Sequence, residues 1–514
     1  MSEKENSRIY LIALSIILPT FFAMVATSAT NVCLPHIAGF YGATRYEANT
    51  VVTSYFIANA IMIPLTGWLI RLLGYKKLSY WCIGLFGVGS FLCIISPNLM
   101  STILSRIVQG CGGGPLVPIC QAILLETFPK EKAPVAMALF GCATMLPPLI
   151  GPFFGGVLTE FLSWQWVFII NIPVCILSII LIKIFIAEKS QTQTKNSNGV
   201  DFVGISSIAV WLITLQIVLD KGEQFNWFDT GWICVLTFIS VFALVFFVVW
   251  ELEYSKPFLN IRVFKNTNFF FGTAIAGSVH ILLYTTLLLT PLFVQSMLGY
   301  SPYMAGYSVM FRTISCGILL LVAGKIAKYV NNKVMIGAGL MIFAYSLFLF
   351  CNMNLTSSIE SIILPNFLLG AGVAISFVPV SNLTFLTIPK EDVKDGASLH
   401  SLYKCTIAAV MSSIVSTFVA RRSQFYQTLL SKDLSYGHLV FQEKLARYQT
   451  LFSYKMSHFM AVKKSFGYMY KQHLVQSKLF AFHDVFLILM LLALVSILVI
   501  LLLKTQKAKA IEKA

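Results

Sequence analysis

The chain has 514 residues, of which 57% are hydrophobic and only 11% charged, with a formal net charge of +16. Soluble domains run at about 45–50% apolar and about 25% charged, and charge this scarce cannot cover a water-soluble body of this size. A soluble enzyme or binding module is therefore excluded, and a polytopic membrane protein is expected, each run of about 20 apolar residues crossing about 30 Å of hydrocarbon.

Residues 1–8 are polar, and the first apolar run, 9–30, leads into "TSATNVCLP" without a small-residue cleavage site. It reads as a retained anchor and not as a signal peptide. Further runs follow at 50–70, 78–97, 101–126, 134–158 and 165–187, then 202–219 and 230–250, then 268–296, 303–324, 334–353, 359–386, 396–419 and 481–503. Fourteen spans put both termini on one side. The short loops of the opposite side hold only Arg45 and Lys221 as cations, so the positive-inside rule assigns both termini to the cytoplasm.

The segment before the last span, residues 421–480, carries ten Lys/Arg against two acids, at a length where loops cross largely regardless of charge. Its Phe441, Leu445, Tyr448, Phe452, Met456 and Phe459 recur at helical spacing and predict an amphipathic helix outside the membrane. That helix either packs over the protein's own outer mouth or presents a docking surface. The eleven cysteines lie singly in apolar runs with no C-x-x-C pair, as small buried residues and not as disulfides or metal ligands. No metal site and no cofactor is expected.

Two cytoplasmic loops match each other. "GWLIRLLGYKK" (Gly67–Lys77) follows the second span and "GKIAKYVNNK" (Gly324–Lys333) the tenth; aligned on the first glycine, Arg71 falls on Lys328 and Lys76 on Lys333. Internal duplication of six-helix halves is a transporter signature, with the substrate site between the halves near the midplane. The division expected is a six-helix half over 1–187, a linker with two inserted helices over 188–267, and a second six-helix half over 268–514.

Polar groups inside the spans are expensive and mark pathways. "LSRIVQGCGGGPLVP" places Arg106 and Gln109 in the fourth span, and His280, Arg312, His400 and Lys404 stand in later ones. "GCATMLPPLIGPFFGG" in the fifth span holds Gly151, Pro152, Gly155 and Gly156 without a charge. Membrane helices tolerate Gly and Pro, and small faces let neighbours approach, so the stretch reads as a bendable, close-packing helix.

Taken in order, "NVCLPHIA" (Asn31–Ala38), "GWLIRLLGYKK", "LSRIVQG", "GCATMLPPLIGPFFGG", "WQWVFIINIP" (Trp164–Pro173) and "LDKGEQFNWFD" (Leu219–Asp229) resemble the motifs of the major facilitator superfamily, specifically its fourteen-helix drug:proton antiporters of the EmrB/QacA type. The resemblance runs over nearly the whole chain. It implies an all-α membrane fold of two six-helix halves plus two extra helices in a bacterial inner membrane, exporting small molecules by alternating access. It also implies cavity roles for Asn31, Arg106 and Gln109, a gate at Gly67, Arg71, Gly74, Lys76 and Lys77, bending at Gly151, Pro152, Gly155 and Gly156, and a periplasmic membrane-fusion adaptor as candidate partner.

The departures concern charge. Where the family usually carries a first-helix acid stands Ala26, where the loop motif has Asp stands Arg71, where helix six often has Arg stands Gln165, and the thirteenth-helix arginine is replaced by Lys404. No Asp or Glu lies in the middle of any span, whereas proton antiport needs a group that binds and releases a proton. His280 and His400 are the candidates. Three readings follow: proton-driven export of drugs or other amphipathic compounds; export of an anionic metabolite or siderophore, favoured by intramembrane cations without acids; and a non-transporting sensor on a transporter fold. An enzyme is not expected, since no P-loop, H-E-x-x-H or nucleophile elbow is present. Nor is a nucleic-acid partner, because the basic residues are spread over many segments and suit anionic lipid.

Overall fold

The computed structural model describes residues 3–129, 132–186, 201–254, 257–300, 302–327, 329–389, 392–431, 439–454 and 456–503, and among these it is all helix, turn and bend. Lys328, one half of the loop alignment above, lies outside the described residues.

The first half begins with α1 (Glu3–Tyr41) and α2 (Arg45–Ile95). A capping box starts α2: the Thr44 hydroxyl accepts from the Glu47 amide while the Glu47 carboxylate accepts from the Thr44 amide. At 51 residues α2 is far too long for one crossing. It breaks at Gly74, whose φ of 77° and ψ of 164° no side-chain-bearing residue adopts readily, and the two limbs form the second and third spans. The fourth span is made of α3 (Leu99–Gly113), capped by Asn98, and α4 (Leu116–Thr127), joined at Gly114–Pro115. Then come α5 (Ala133–Phe161), the short α6 (Trp166–Ile169) and α7 (Asn171–Phe185).

The proline-rich stretch is continuous helix within α5. Pro152 has no N–H, so the Pro148 carbonyl one turn earlier loses its usual donor. The Ser28 hydroxyl of α1 donates to that carbonyl at 3.0 Å. Close approach makes this contact available: a Cβ on Gly151 would lie 2.6 Å from Ser28 Cβ, and one on Gly155 2.7 Å from the Ala29 carbonyl. The breakers thus weld α5 to α1, as membrane helices with freed backbone groups require.

The inserted pair is α8 (Phe202–Lys221) and α9 (Gly231–Glu253). One face of α9 carries a row of rings, the exposed Phe238, Phe242 and Phe246 and the half-buried Trp250, stacked at 6.0–6.4 Å. The second half comprises α10 (Thr267–Ser296), α11 (Pro302–Ile326), α12 (Asn332–Cys351), α13 (Ile359–Phe385), α14 (Val393–Ser431), α15 (Leu439–Ser453) and α16 (His458–Ile500). With α2 counted as two limbs, fourteen crossings are present, in agreement with the sequence.

Three ties show where the inserted pair sits. Asn49 of α2 donates to Asp220 at 2.6 Å, Ser413 of α14 donates to the Leu219 carbonyl at 3.0 Å, and the Trp227 indole donates to Thr417 of α14 at 3.0 Å. One end of the pair therefore bridges both halves along their α2/α14 flank. The two halves also meet directly, α5 packing on α11 and α13, and α14 on α2 and α4.

The expected outer helix differs in extent. It ends at Ser453, so Met456 and Phe459 fall beyond it, and Phe459 is exposed. Phe441 and Leu445 instead bury against Met469 on a long extension of α16. At 1.5 Å per residue α14 and α16 are about 58 and 64 Å long, roughly twice a hydrocarbon layer. Both helices project well past the membrane, with α15 packed on α16.

Candidate functional site

Two fully buried arginines organise the interiors of the two halves. Arg106 on α3 donates from Nε to the Val51 carbonyl at 3.2 Å and from Nη1 to Gln109 at 2.5 Å, with its guanidinium 4.3 Å from the Tyr55 ring. Gln109 passes the chain on to Ser90 at 2.7 Å, where Asn171 of α7 also arrives at 3.4 Å. In the second half Arg312 on α11 donates to Thr286 at 3.2 Å, Thr290 at 2.9 Å and Asn366 of α13 at 2.8 Å.

These clusters are the same site built twice with the cation exchanged. The loop alignment that sets Gly67 on Gly324 sets Tyr55 on Arg312. Counting from the caps of α3 and α13, Asn98 to Arg106 equals Ser358 to Asn366. The next glycines match as well: a Cβ on Gly110 would press on the Tyr55 backbone, and one on Gly370 on the Arg312 backbone. In the first half the cation stands on the fourth span and its ring on the second; in the other half the cation stands on the helix equivalent to the second, and an amide on the helix equivalent to the fourth. Neither guanidinium meets a carboxylate among the described residues, and one nitrogen of each, Arg106 Nη2 and Arg312 Nε, has no hydrogen-bond partner. Neutral acceptors and aromatic faces hold both charges inside the membrane region.

Between the halves lies a third cation. Lys404 of α14 is 3% exposed, and its Nζ stands 5.4 Å from the ring of Phe140 on α5 and 5.9 Å from that of Phe377 on α13. These two rings, one from each half, are themselves stacked at 6.1 Å. Eleven residues of helix separate Val393 from Lys404, roughly 16 Å of rise, which sets the ammonium near the middle of a layer about 30 Å thick. His280 of α10 lies 6.3 Å from Phe377 and hydrogen bonds the Ala276 carbonyl through Nδ1 at 2.9 Å. His400, one helical turn before Lys404, pairs Nδ1 with Thr273 at 3.1 Å, and its buried Nε2 has no partner. Both imidazoles are within electrostatic reach of the Lys404 ammonium. The structure therefore brings His280, His400 and Lys404 together, and keeps Arg106 and Arg312 apart in their own halves.

At the face carrying the termini, Arg71 forms an ion pair with Asp395 at the start of α14 and donates to the Phe258 carbonyl. A Cβ on Gly67 would lie 2.6 Å from Asp395 Oδ1, so the halves are shut against each other here. Lys76 donates to the Lys183 carbonyl at 3.2 Å. The position expected to hold the first-helix acid, Ala26, is 1% exposed and borders an apolar cleft of Phe21, Phe22, Val25, Phe154 and Leu158, with Asn171 the polar side chain in its lining. Asn31 is exposed on α1, apart from these clusters. Pro152 is half-buried, and Gly156 faces open space.

Sequence reading did not single out the acids at the membrane edge. Asp395, Asp201 and Glu251 fall at or just outside span boundaries, where a search for mid-span carboxylates passes them over. A signal was present: Asp201 precedes α8 and Glu251 closes α9, so an antiparallel hairpin of the two brings them to one end.

A family profile described as Major Facilitator Superfamily matches residues 16–413. The chain is 32% identical over 425 residues to the fatty acid resistance protein FarB of Neisseria gonorrhoeae, covering 82% of this chain and 83% of that protein. It is 29% identical over 437 residues to the multidrug export protein EmrB of Escherichia coli K12, covering 84% of each. Among solved structures, the human organic anion transporter MFSD10 (TETRAN) superposes with a TM-score of 0.55 at 11% identity, covering 80% of this chain and 93% of that one, a likeness of fold alone. The two shut halves, the duplicated arginine sites and the inserted helix pair thus belong to a membrane transporter, and the chain is a member of the Major Facilitator Superfamily.

Proposed function

We propose that the protein is an inner-membrane exporter, both termini cytoplasmic, that moves amphipathic toxic compounds outward by proton antiport between two six-helix halves. The names of its relatives, multidrug export and fatty acid resistance, support efflux of amphipathic compounds. The observation that carries the reading is Lys404, a buried cation between the halves whose neighbours are two phenyl rings and two imidazoles. Among the described residues it has no counter-ion. An amphipathic carboxylate supplies one, and the rings receive its apolar body. Charge pairing is strong in a low-dielectric cavity, so carboxylates with an aliphatic or aromatic body are the favoured substrates.

His280 and His400 are the proton carriers of this scheme, as the two imidazoles beside Lys404. Arg106, Gln109 and Arg312 shape the cavity walls of their halves. Gly151, Pro152 and Gly155 set the α1–α5 contact about which the first half moves, and Gly67 and Arg71 close the cytoplasmic gate. The projecting α14–α16 helices support a periplasmic adaptor as partner.

Proteoliposomes with an imposed pH gradient test this reading. A medium-chain fatty acid moves when the gradient is present, and Lys404→Gln lowers that flux about tenfold or more, as expected for losing one charge-assisted contact. Unchanged fatty-acid flux in the folded Lys404→Gln protein, alongside movement of a lipophilic cation, refutes the carboxylate preference.

A further inference from the structure

The inserted helices carry a second feature, at the end opposite their Asn49 and Thr417 ties. Asp201 heads α8 and Glu251 lies in the last turn of α9, both buried, with Glu251 fully inaccessible. Asp201 Oδ1 is well served, accepting from the Gly204 amide at 2.9 Å and the Trp250 indole at 2.9 Å. Its Oδ2 has no partner, and neither Glu251 oxygen has a well-formed hydrogen bond, the Leu259 amide giving only a weak approach. The two acids face each other across Gly204: the point where a Cβ would stand lies 2.6 Å from Glu251 Oε1 and 2.7 Å from Asp201 Oδ2.

Buried oxygens without donors are costly, and two carboxylates in one low-dielectric site do not both ionise. One proton relieves both conditions: it removes one of the two charges, and its O–H supplies a donor on the side of Gly204 where both acids stand. The other charged groups facing Glu251 are Arg71 of α2 and Asp395 of α14, with Asp392 beside Asp395. Arg71 is the one cation among these, and it is committed to Asp395 and the Phe258 carbonyl. Loss of the proton to cytoplasmic water adds a full negative charge beside Arg71, in competition with Asp395.

We propose that Asp201 and Glu251 form a proton-binding site built by the inserted helix pair, and that its occupancy decides whether Arg71 stays latched to Asp395. With the proton bound, the cytoplasmic gate stays shut; with it released, Arg71 is drawn toward Glu251 and the halves part. The site lies at the gate, apart from the Lys404 chamber, and gives the extra helices a task in coupling.

Spin labels at Leu72 and Tyr329, exposed equivalents on the two halves, read the gate in the full-length protein in nanodiscs, in a cysteine-replaced background. The distance lengthens as the medium is taken from mildly acidic to mildly alkaline. Glu251→Gln, whose amide donates to Asp201 as the protonated acid does, keeps the short distance throughout, and Glu360→Gln, an exposed acid on α13, titrates like the parent. A parent distance that ignores pH, or a Glu251→Gln protein that opens like the parent, overturns the proposal. Should the variant not fold, infrared spectroscopy of the unaltered protein decides: a carboxylic C=O stretch at neutral pH that fades on alkalinisation supports the shared proton, and its absence refutes it. No substrate enters either readout, so failure here leaves the substrate reading standing.

Discussion

At the scale of single residues, the interior is organised by cations that neutral groups hold. Asn366 is the clearest probe, because it gives Arg312 its one acceptor from α13. Asn366→Ala leaves a buried guanidinium with one partner fewer, and the loss expected for a hydrogen bond to a charged group is about 1.5–3 kcal/mol, read as a lowered unfolding midpoint in detergent. Ala26→Asp tests the missing first-helix acid. It sets a carboxylate among Phe21, Phe22, Val25 and Phe154 with Asn171 as its polar neighbour, a placement that costs about 2.5–3.5 kcal/mol near a helix centre. Lower yield without stronger gradient-driven transport is the expected result; a gain in coupling would show that the acid had simply been lost from a site still able to use it. Arg106, Arg312, His280, His400 and Lys404 were legible in the sequence because a charged or titratable group within an apolar run is conspicuous. Their partners were not, since Thr286, Asn366 and Phe377 look like ordinary membrane residues. The ion pair of Arg71 joins positions 324 residues apart in the chain, and local pattern carries nothing about such a pairing.

At the scale of the helix, breakers act through what stands against them. Gly155 and Gly156 are neighbours in one motif, yet a Cβ on the first would lie 2.7 Å from the Ala29 carbonyl while one on the second would meet nothing. Gly155→Ala therefore forces α1 and α5 apart, with an overpacking cost of about 1–3 kcal/mol, whereas Gly156→Ala leaves stability and transport near the parent values. Thermal unfolding and flux measured side by side on the two variants check this, and equal effects would contradict the packing account. Hydrophobic runs disclosed all fourteen crossings, because length and apolarity are set by the bilayer and not by the partner helix. Which glycine touches its neighbour depends on helix rotation, and that was not legible. The helix before α16 shows the same limit: the spacing from Phe441 to Phe459 was helical, but the helix stops at Ser453, and the partner that buries Phe441 and Leu445 is Met469, which lies on another element.

At the scale of the molecule, the inserted pair and the extensions of α14 and α16 distinguish this transporter from a bare twelve-helix body. The pair spans the α2/α14 flank at both ends, through Asn49, Ser413 and Thr417 at one and through Phe258 and the acids near Arg71 at the other. Any rocking of the halves must therefore pass through it. The extensions of α14 and α16 carry a small cluster of their own: α15 rests on α16 through Phe441, Leu445 and Met469, apart from the main core. Replacing residues 439–457 with a short flexible linker removes α15 while leaving α14 and α16 intact. If α15 serves as a docking surface, the shortened protein keeps its flux in proteoliposomes, where no second protein is present, but no longer protects cells against the exported compound. If α15 instead covers the outer mouth, flux changes in proteoliposomes as well. Measuring both on one preparation separates a partner-binding element from a lid, because only the cellular readout depends on a second protein.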